Sequence, residues 1–167
     1  DIFNKTIIAH EKYLAGFTLT EEEEKYKDFY SFSDTASVPT GYARVPGKSF
    51  SYECNFSGNM PEFNCDSEYV REEFQNIINF YLDKGMDGFR LDAVKYFYFG
   101  NNAKCIELLS EINRWVKTKN PNAYVVGECW ELSDKIISSY YESGIDSFFN
   151  FEARVTNPYG YLLNSIN

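Results

Sequence analysis

Beyond residue 66 the apolar positions fall into a regular alternation of helical and extended patterns. Val70, Phe74, Ile77, Ile78, Tyr81 and Leu82 lie three and four apart, the spacing of one helical face. Ser67 stands where an N-cap belongs, and Gly85 is placed to end that helix in a left-handed turn. DGFRLD, residues 87–92, predicts a short strand. A second helix is predicted from about Asn102 to Lys117, with Ile106, Leu109, Ile112, Trp115 and Val116 inward. Lys117 and Lys119 suit its C-terminal end, and Pro121 bars its continuation. AYVVGE, residues 123–128, predicts an apolar strand ending in a carboxylate. A third helix over 132–142, stopped by Gly144, and a third strand, IDSFFNF at 145–151, follow. Such alternation signals α/β architecture, a parallel sheet covered by helices, as either a doubly wound sheet or a barrel.

The first 66 residues are irregular by comparison. Thr20 followed by Glu23 is a capping box that can start a short helix through Tyr30. Residues 31–66 carry Pro39, Gly41, Pro46, Gly47, Gly58 and Pro61, which predicts loop with at most short strands.

Composition narrows the function classes. The 167 residues suffice for one domain but not for a complete eight-fold β/α barrel, which needs roughly 200–250. A net charge of −9 is the opposite of the basic excess that marks a nucleic-acid partner. No apolar run approaches the roughly 18 residues of a membrane span. Glu21–Glu24 is the densest acidic run and suits a solvated helix start. Aromatic residues make up 19% of the chain; most must pack the core, and a groove for a ligand with flat apolar faces, such as a sugar, is the sharper alternative for some. Cys54, Cys65, Cys105 and Cys129 form no C-x-x-C or Cys/His cluster, and His10 is far from all four in sequence, which argues against zinc and for buried thiols. No glycine-rich phosphate motif follows any strand.

The candidate chemistry sits at strand ends, where parallel α/β folds bind ligands. Asp92 and Glu128 end the first two predicted strands, 36 residues apart, about one strand–helix repeat. Neighbouring strand ends would put both carboxylates on one rim, which suits glycosidic-bond cleavage by one ionised and one protonated group; the alternative is that each merely caps the next helix. Side chains alternate along a strand, so Arg90 shares a face with Asp92 and favours its charged form. Glu128, ending an apolar strand beside another carboxylate, is expected to hold its proton to higher pH, as a general acid requires.

GFRLDAVK, residues 88–95, resembles the nucleophile motif of the α-amylase family, glycoside hydrolase family 13. VVGECW, residues 125–130, resembles its acid/base motif, MPEFN at 60–64 a short motif near the end of its inserted domain B, and FNF at 149–151 its sixth-strand segment. YKDFYSF, residues 26–32, has the look of that inserted region. The resemblance implies a retaining enzyme acting on α-glucosidic bonds of starch-like glucans or maltooligosaccharides, built on a (β/α)8 barrel. Residues 1–66 would be the domain B-like region and 67–167 the barrel's strands four to six. Asp92 would be the nucleophile, Glu128 the acid/base, and Arg90 the group that orients Asp92 and keeps it ionised. Lys95, Tyr96 and Trp130 would lie on the substrate side, with a surface lysine and plain packing as the alternatives for Lys95 and Trp130. Tyr96 replaces a histidine frequent in the family's α-amylases, which weakens the carry-over of a sugar contact and a backbone calcium ligand there. The chemistry would need no cofactor, while a structural calcium could use Glu62. The family's early histidine motif and third catalytic carboxylate have no match in the chain, so the resemblance implies an internal fragment, inactive and marginally stable by itself. A noncatalytic amylase-like carbohydrate-binding or interaction domain, and an α-1,6-glucosidase or transglycosylase of the same family, are the competing readings.

Overall fold

The computed structural model describes residues 2–131 and 133–149. Two compact units, Asp1–Phe74 and Gln75–Asn167, divide inside a helix.

In the first unit, α1 (Ile2–Leu14) buries Thr6, Ala9 and His10. Two of these three are polar, so hydrophobic periodicity does not reveal the helix. Their polar groups are largely met locally: the Thr6 hydroxyl donates to the Ile2 carbonyl at 3.0 Å, and His10 Nε2 lies 2.8 Å from Asp34 Oδ1. α2 (Glu21–Tyr26) starts on the expected capping box, with Thr20 N donating to Glu23 Oε2 at 3.0 Å and Glu23 N to Thr20 Oγ1 at 3.3 Å. It stops before Tyr30 because the backbone at 29–31 is engaged elsewhere: Asn64 N donates to Phe29 O, and Ser31 N to Glu62 O, each at 3.1 Å. Three short strands, β1 (Phe32–Ser33), β2 (Tyr42–Arg44) and β3 (Ser51–Glu53), form an antiparallel sheet in the order β1-β3-β2. Val45, Phe50 and Tyr52 are its core, packed by Phe3, Ile7 and Phe32.

α3 (Glu68–Asp83) follows. Val70 and Ile78 are buried, but Ile77 and Tyr81, predicted inward, are exposed; among the described residues the covered strip is narrower than the apolar stripe.

The second unit carries a parallel sheet, β4 (Gly88–Leu91), β5 (Tyr124–Gly127) and β6 (Ser147–Phe148), in that spatial order. Parallel neighbours require crossovers, here through α4 (Asn102–Lys119) and α5 (Asp134–Tyr140). Asn101 caps α4 by accepting from Lys104 N at 3.1 Å. The buried face of α4 holds Leu109, Ile112, Trp115 and Val116 as predicted, but Cys105 and Leu108 take the inner positions and Ile106 only the margin. The four cysteines are free thiols, and Cys65, Cys105 and Cys129 are buried. Residues 150–151 of the predicted third strand, with part of the FNF segment, lie outside the described residues. No helix among the described residues is long and apolar enough to cross a membrane.

The N-terminal ends of the strands are pinned by one ion pair. Lys117 Nζ donates to Ala123 O at 2.7 Å and to both Asp146 oxygens at 2.8 and 2.9 Å, while Asp146 Oδ2 accepts Val125 N at 2.8 Å. The Lys117 hydrogen bond is the main reason the Asp146 carboxyl titrates below its ordinary range, and the Val125 N–H adds to it. At the other end, Gly127 leaves room for a ring: a Cβ there would lie 2.5 Å from Phe148 Cε1 and 2.7 Å from Cδ1.

Gly127→Ala is expected to destabilise the fold by about 1–3 kcal/mol through overpacking, with partial recovery in Gly127→Ala/Phe148→Leu, read from denaturant unfolding midpoints. Asp146→Asn should also lower stability at neutral pH. A carboxylate with a depressed folded-state pKa stabilises above its unfolded pKa and loses that contribution as pH falls through the folded value. The gap between wild type and Asp146→Asn should therefore close on acidification, as thermal unfolding across pH will show.

Candidate active site

The pairing of β4 with β5 sets the site. Phe89 lies opposite Val125, Arg90 opposite Val126 and Leu91 opposite Gly127, so the next residues, Asp92 and Glu128, leave the sheet at the same level. The ladder continues one step beyond the strands: Glu128 N donates to Leu91 O at 2.8 Å, and Val94 N to Glu128 O at 3.0 Å. Val94 can return to Glu128 because Ala93 turns the chain in the left-handed conformation, φ 44° and ψ 47°. For a residue with a Cβ that geometry costs roughly 1–2 kcal/mol, held here by the two backbone hydrogen bonds on either side.

Arg90 joins the two carboxylates. Its Nη2 donates to Asp92 Oδ1 at 2.9 Å and also to Glu128 Oε2. The two acids differ in setting: the Asp92 side chain is 73% exposed and that of Glu128 10%. The Glu128 carboxyl titrates above its ordinary range, chiefly through its hydrogen bond with Asp92, then through burial. Arg90 and a hydrogen bond from the Trp130 indole oppose the rise without cancelling it. The shift is in the direction that a general acid beside a second carboxyl group requires. Beyond them, the Arg90 guanidinium carbon stands 5.7 Å from the centre of the Phe149 ring, within cation–π range.

Lys95, Tyr96 and Trp130 lie together with Phe99, Glu131 and Ile136 around an open hollow of about 210 Å³. The Tyr96 ring stacks on Phe99 at 5.4 Å, and Trp130 is more than half exposed. Lys95 Nζ donates to Glu131 Oε2 at 2.5 Å. The structure thus brings Arg90, Asp92 and Glu128 into direct contact and groups Lys95, Tyr96 and Trp130 around the hollow. Phe149 belongs to the FNF segment but carried no site role in the sequence, and Phe99 and Glu131 were not singled out. Phe149 follows β6 directly, as Asp92 follows β4 and Glu128 follows β5, and that shared offset is the signal that could have found it.

Glu62 lies in the first unit. Its Oε1 accepts Asn55 N at 3.3 Å, and burial, with Glu53 nearby, raises its pKa. Calcium gathers about six to eight oxygen ligands, whereas no group of three or more His, Cys, Asp or Glu among the described residues is arranged to hold a metal ion.

Comparison with known proteins gives a family. The alpha amylase catalytic domain matches residues 2–159. Alpha-amylase 3 of Dictyoglomus thermophilum is 37% identical over 135 residues, covering 75% of this chain and 25% of that protein. Trehalose synthase of Pimelobacter is 28% identical over 157 residues, covering 83% of this chain and 27% of that protein. Among solved structures, Eubacterium rectale Amy13B superposes with a TM-score of 0.80 at 38% identity, covering 96% of this chain and 31% of that one. The chain spans about a quarter of the length of the curated relatives it matches. Its parallel strands with crossing helices are part of a (β/α)8 barrel, and the chain belongs to the alpha-amylase family of glycoside hydrolases.

Proposed function

We propose that the protein carrying this chain is a retaining glycosidase of α-glucosidic bonds in starch-like glucans or maltooligosaccharides. The observation that carries this reading is the Arg90-bridged pair, with Glu128 buried and its pKa raised and Asp92 exposed beside it. Asp92 attacks the anomeric carbon, and the glycosidic bond breaks as Glu128 gives its proton to the leaving oxygen. Glu128, now a carboxylate, takes a proton from water, which attacks the anomeric carbon and releases Asp92. Arg90 holds Asp92 in place and balances its charge while Glu128 cycles between its two forms. The exposed Trp130 ring, with the half-buried Tyr96 beside the same hollow, offers a flat apolar surface for sugar rings.

A noncatalytic binding role would leave no work for a buried Glu128 bridged through Arg90 to a second, exposed carboxyl group. Transfer to a sugar instead of water uses the same covalent intermediate, and the trehalose synthase relative supports keeping it as a second reading. The third carboxylate that the family resemblance implies has no match in this sequence, so we place the activity in the full-length protein and expect none from the 167 residues alone.

In the full-length protein, Asp92→Asn is expected to lower kcat on maltooligosaccharides by about 10⁴-fold or more, and Glu128→Gln by about 10²–10⁴-fold. Turnover undiminished by Asp92→Asn would refute the assignment. Asp92 is also the main cause of the raised Glu128 pKa. Asp92→Asn should accordingly bring the Glu128 titration down toward the ordinary carboxylate range, as carbon NMR of labelled glutamate side chains will show.

A further inference from the structure

The ion pair between Lys95 and Glu131 ties one strand-end turn to the next. Lys95 lies in the 3-10 turn Val94–Tyr96 that follows β4. Its side chain is three-quarters covered and that of Glu131 still more so. Both ends are anchored in the backbone. The Lys95 carbonyl accepts the Cys105 thiol at 3.4 Å, while Glu131 Oε1 accepts Ser133 N at 3.0 Å where the chain turns into α5. Glu131 N donates to Cys129 O at 2.8 Å, which tightens the turn around Trp130. Trp130, two residues beyond Glu128, is among the groups that lower the Glu128 pKa. Contacts therefore run from Lys95 through Glu131 to the turn that carries Trp130, which directly follows Glu128 and Cys129.

We propose that Lys95 and Glu131 are positioning residues for the acid/base step: their ion pair fixes the turn from Glu128 to Ser133 so that Trp130 holds the Glu128 carboxyl in place. The inference rests on the reading of Glu128 as the acid/base. Lys95 then spends its ammonium on Glu131 instead of on a sugar hydroxyl. Glu131 cannot be replaced by a neutral group without leaving a largely buried lysine uncompensated. Small displacements of an acid relative to the bond being broken are costly in rate, which is why such a device belongs beside Glu128.

The test is a double-mutant cycle in the full-length protein on a maltooligosaccharide, with Lys95→Met, Glu131→Gln, the double variant and the swap Lys95→Glu/Glu131→Lys. Each single variant should lower kcat by about 10–100-fold with little change in KM, and the double should be no worse than the poorer single. The alkaline limb of the kcat/KM profile should move to higher pH in each, because a loosened Trp130 withdraws a hydrogen bond that favours ionised Glu128. The swap restores the charge pair and should recover part of kcat; a folded swap with no recovery overturns the proposal. A rise in KM confined to Lys95→Met, with Glu131→Gln silent, overturns it in favour of a direct sugar contact. Additive losses with an unmoved alkaline limb overturn it as well. If the wild-type protein cleaves no α-glucan, the functional reading fails, and amide exchange decides the clamp by itself. Faster exchange at 129–135 in Glu131→Gln supports it, and unchanged exchange overturns it.

Discussion

The register between β4 and β5 is the constraint on which the site depends. Leu91 opposite Gly127 puts Asp92 and Glu128 at one level, and a one-residue slip would turn every side chain of a strand to the other face. The backbone holds that level past the strands, through Glu128 N on Leu91 O and Val94 N on Glu128 O. The left-handed Ala93 lies between those two bonds. It lets the chain leave the sheet after Asp92 without carrying the carboxylate away. Arg90 then reaches both acids from the strand itself. Local backbone strain and a cation shared by two carboxyl groups thus occupy the same few residues, as expected where structure is arranged for chemistry.

The opposite end of the sheet is ordered by other means. Lys117, from the last turn of α4, satisfies the Ala123 carbonyl and Asp146, and Asp146 satisfies Val125 N. These contacts fix where β5 begins relative to β6, while the close approach of Phe148 to Gly127 fixes how they run together. The strands carry the site at one end and are registered at the other, so a change at Asp146 is expected to act on stability, and a change at Arg90 on the carboxylates.

Much of this was legible in the sequence, and the exceptions have physical causes. β4 and β5 announce themselves as compact apolar runs, and the helices that follow them as stripes with end signals at Lys117, Pro121 and Gly144. The position of the carboxylates followed from strand alternation and repeat length. α1 stayed hidden because its buried face uses Thr6 and His10, which count as polar until their partners are known. α2 ends early because Phe29 and Ser31 pair with a segment more than 30 residues away, which no local pattern reports. Cys105 replaced Ile106 on the inner face of α4 because burial there follows the orientation of the helix, and a small thiol fits as well as a larger side chain. Ala93's left-handed turn, the Lys95–Glu131 pair and the stacking of Phe149 near Arg90 arise only when separate strand ends meet.

The central claim is that Asp92 and Glu128 act as a nucleophile and acid/base pair organised by Arg90. The most direct test is to trap the covalent intermediate. The full-length protein would be incubated with a fluorinated α-glucosyl fluoride that slows its breakdown, digested, and its peptides weighed. The account predicts one added glycosyl group on the peptide containing Asp92, and none in Asp92→Asn. A label on another carboxylate, or turnover with inversion at the anomeric carbon and no labelled peptide, would contradict it.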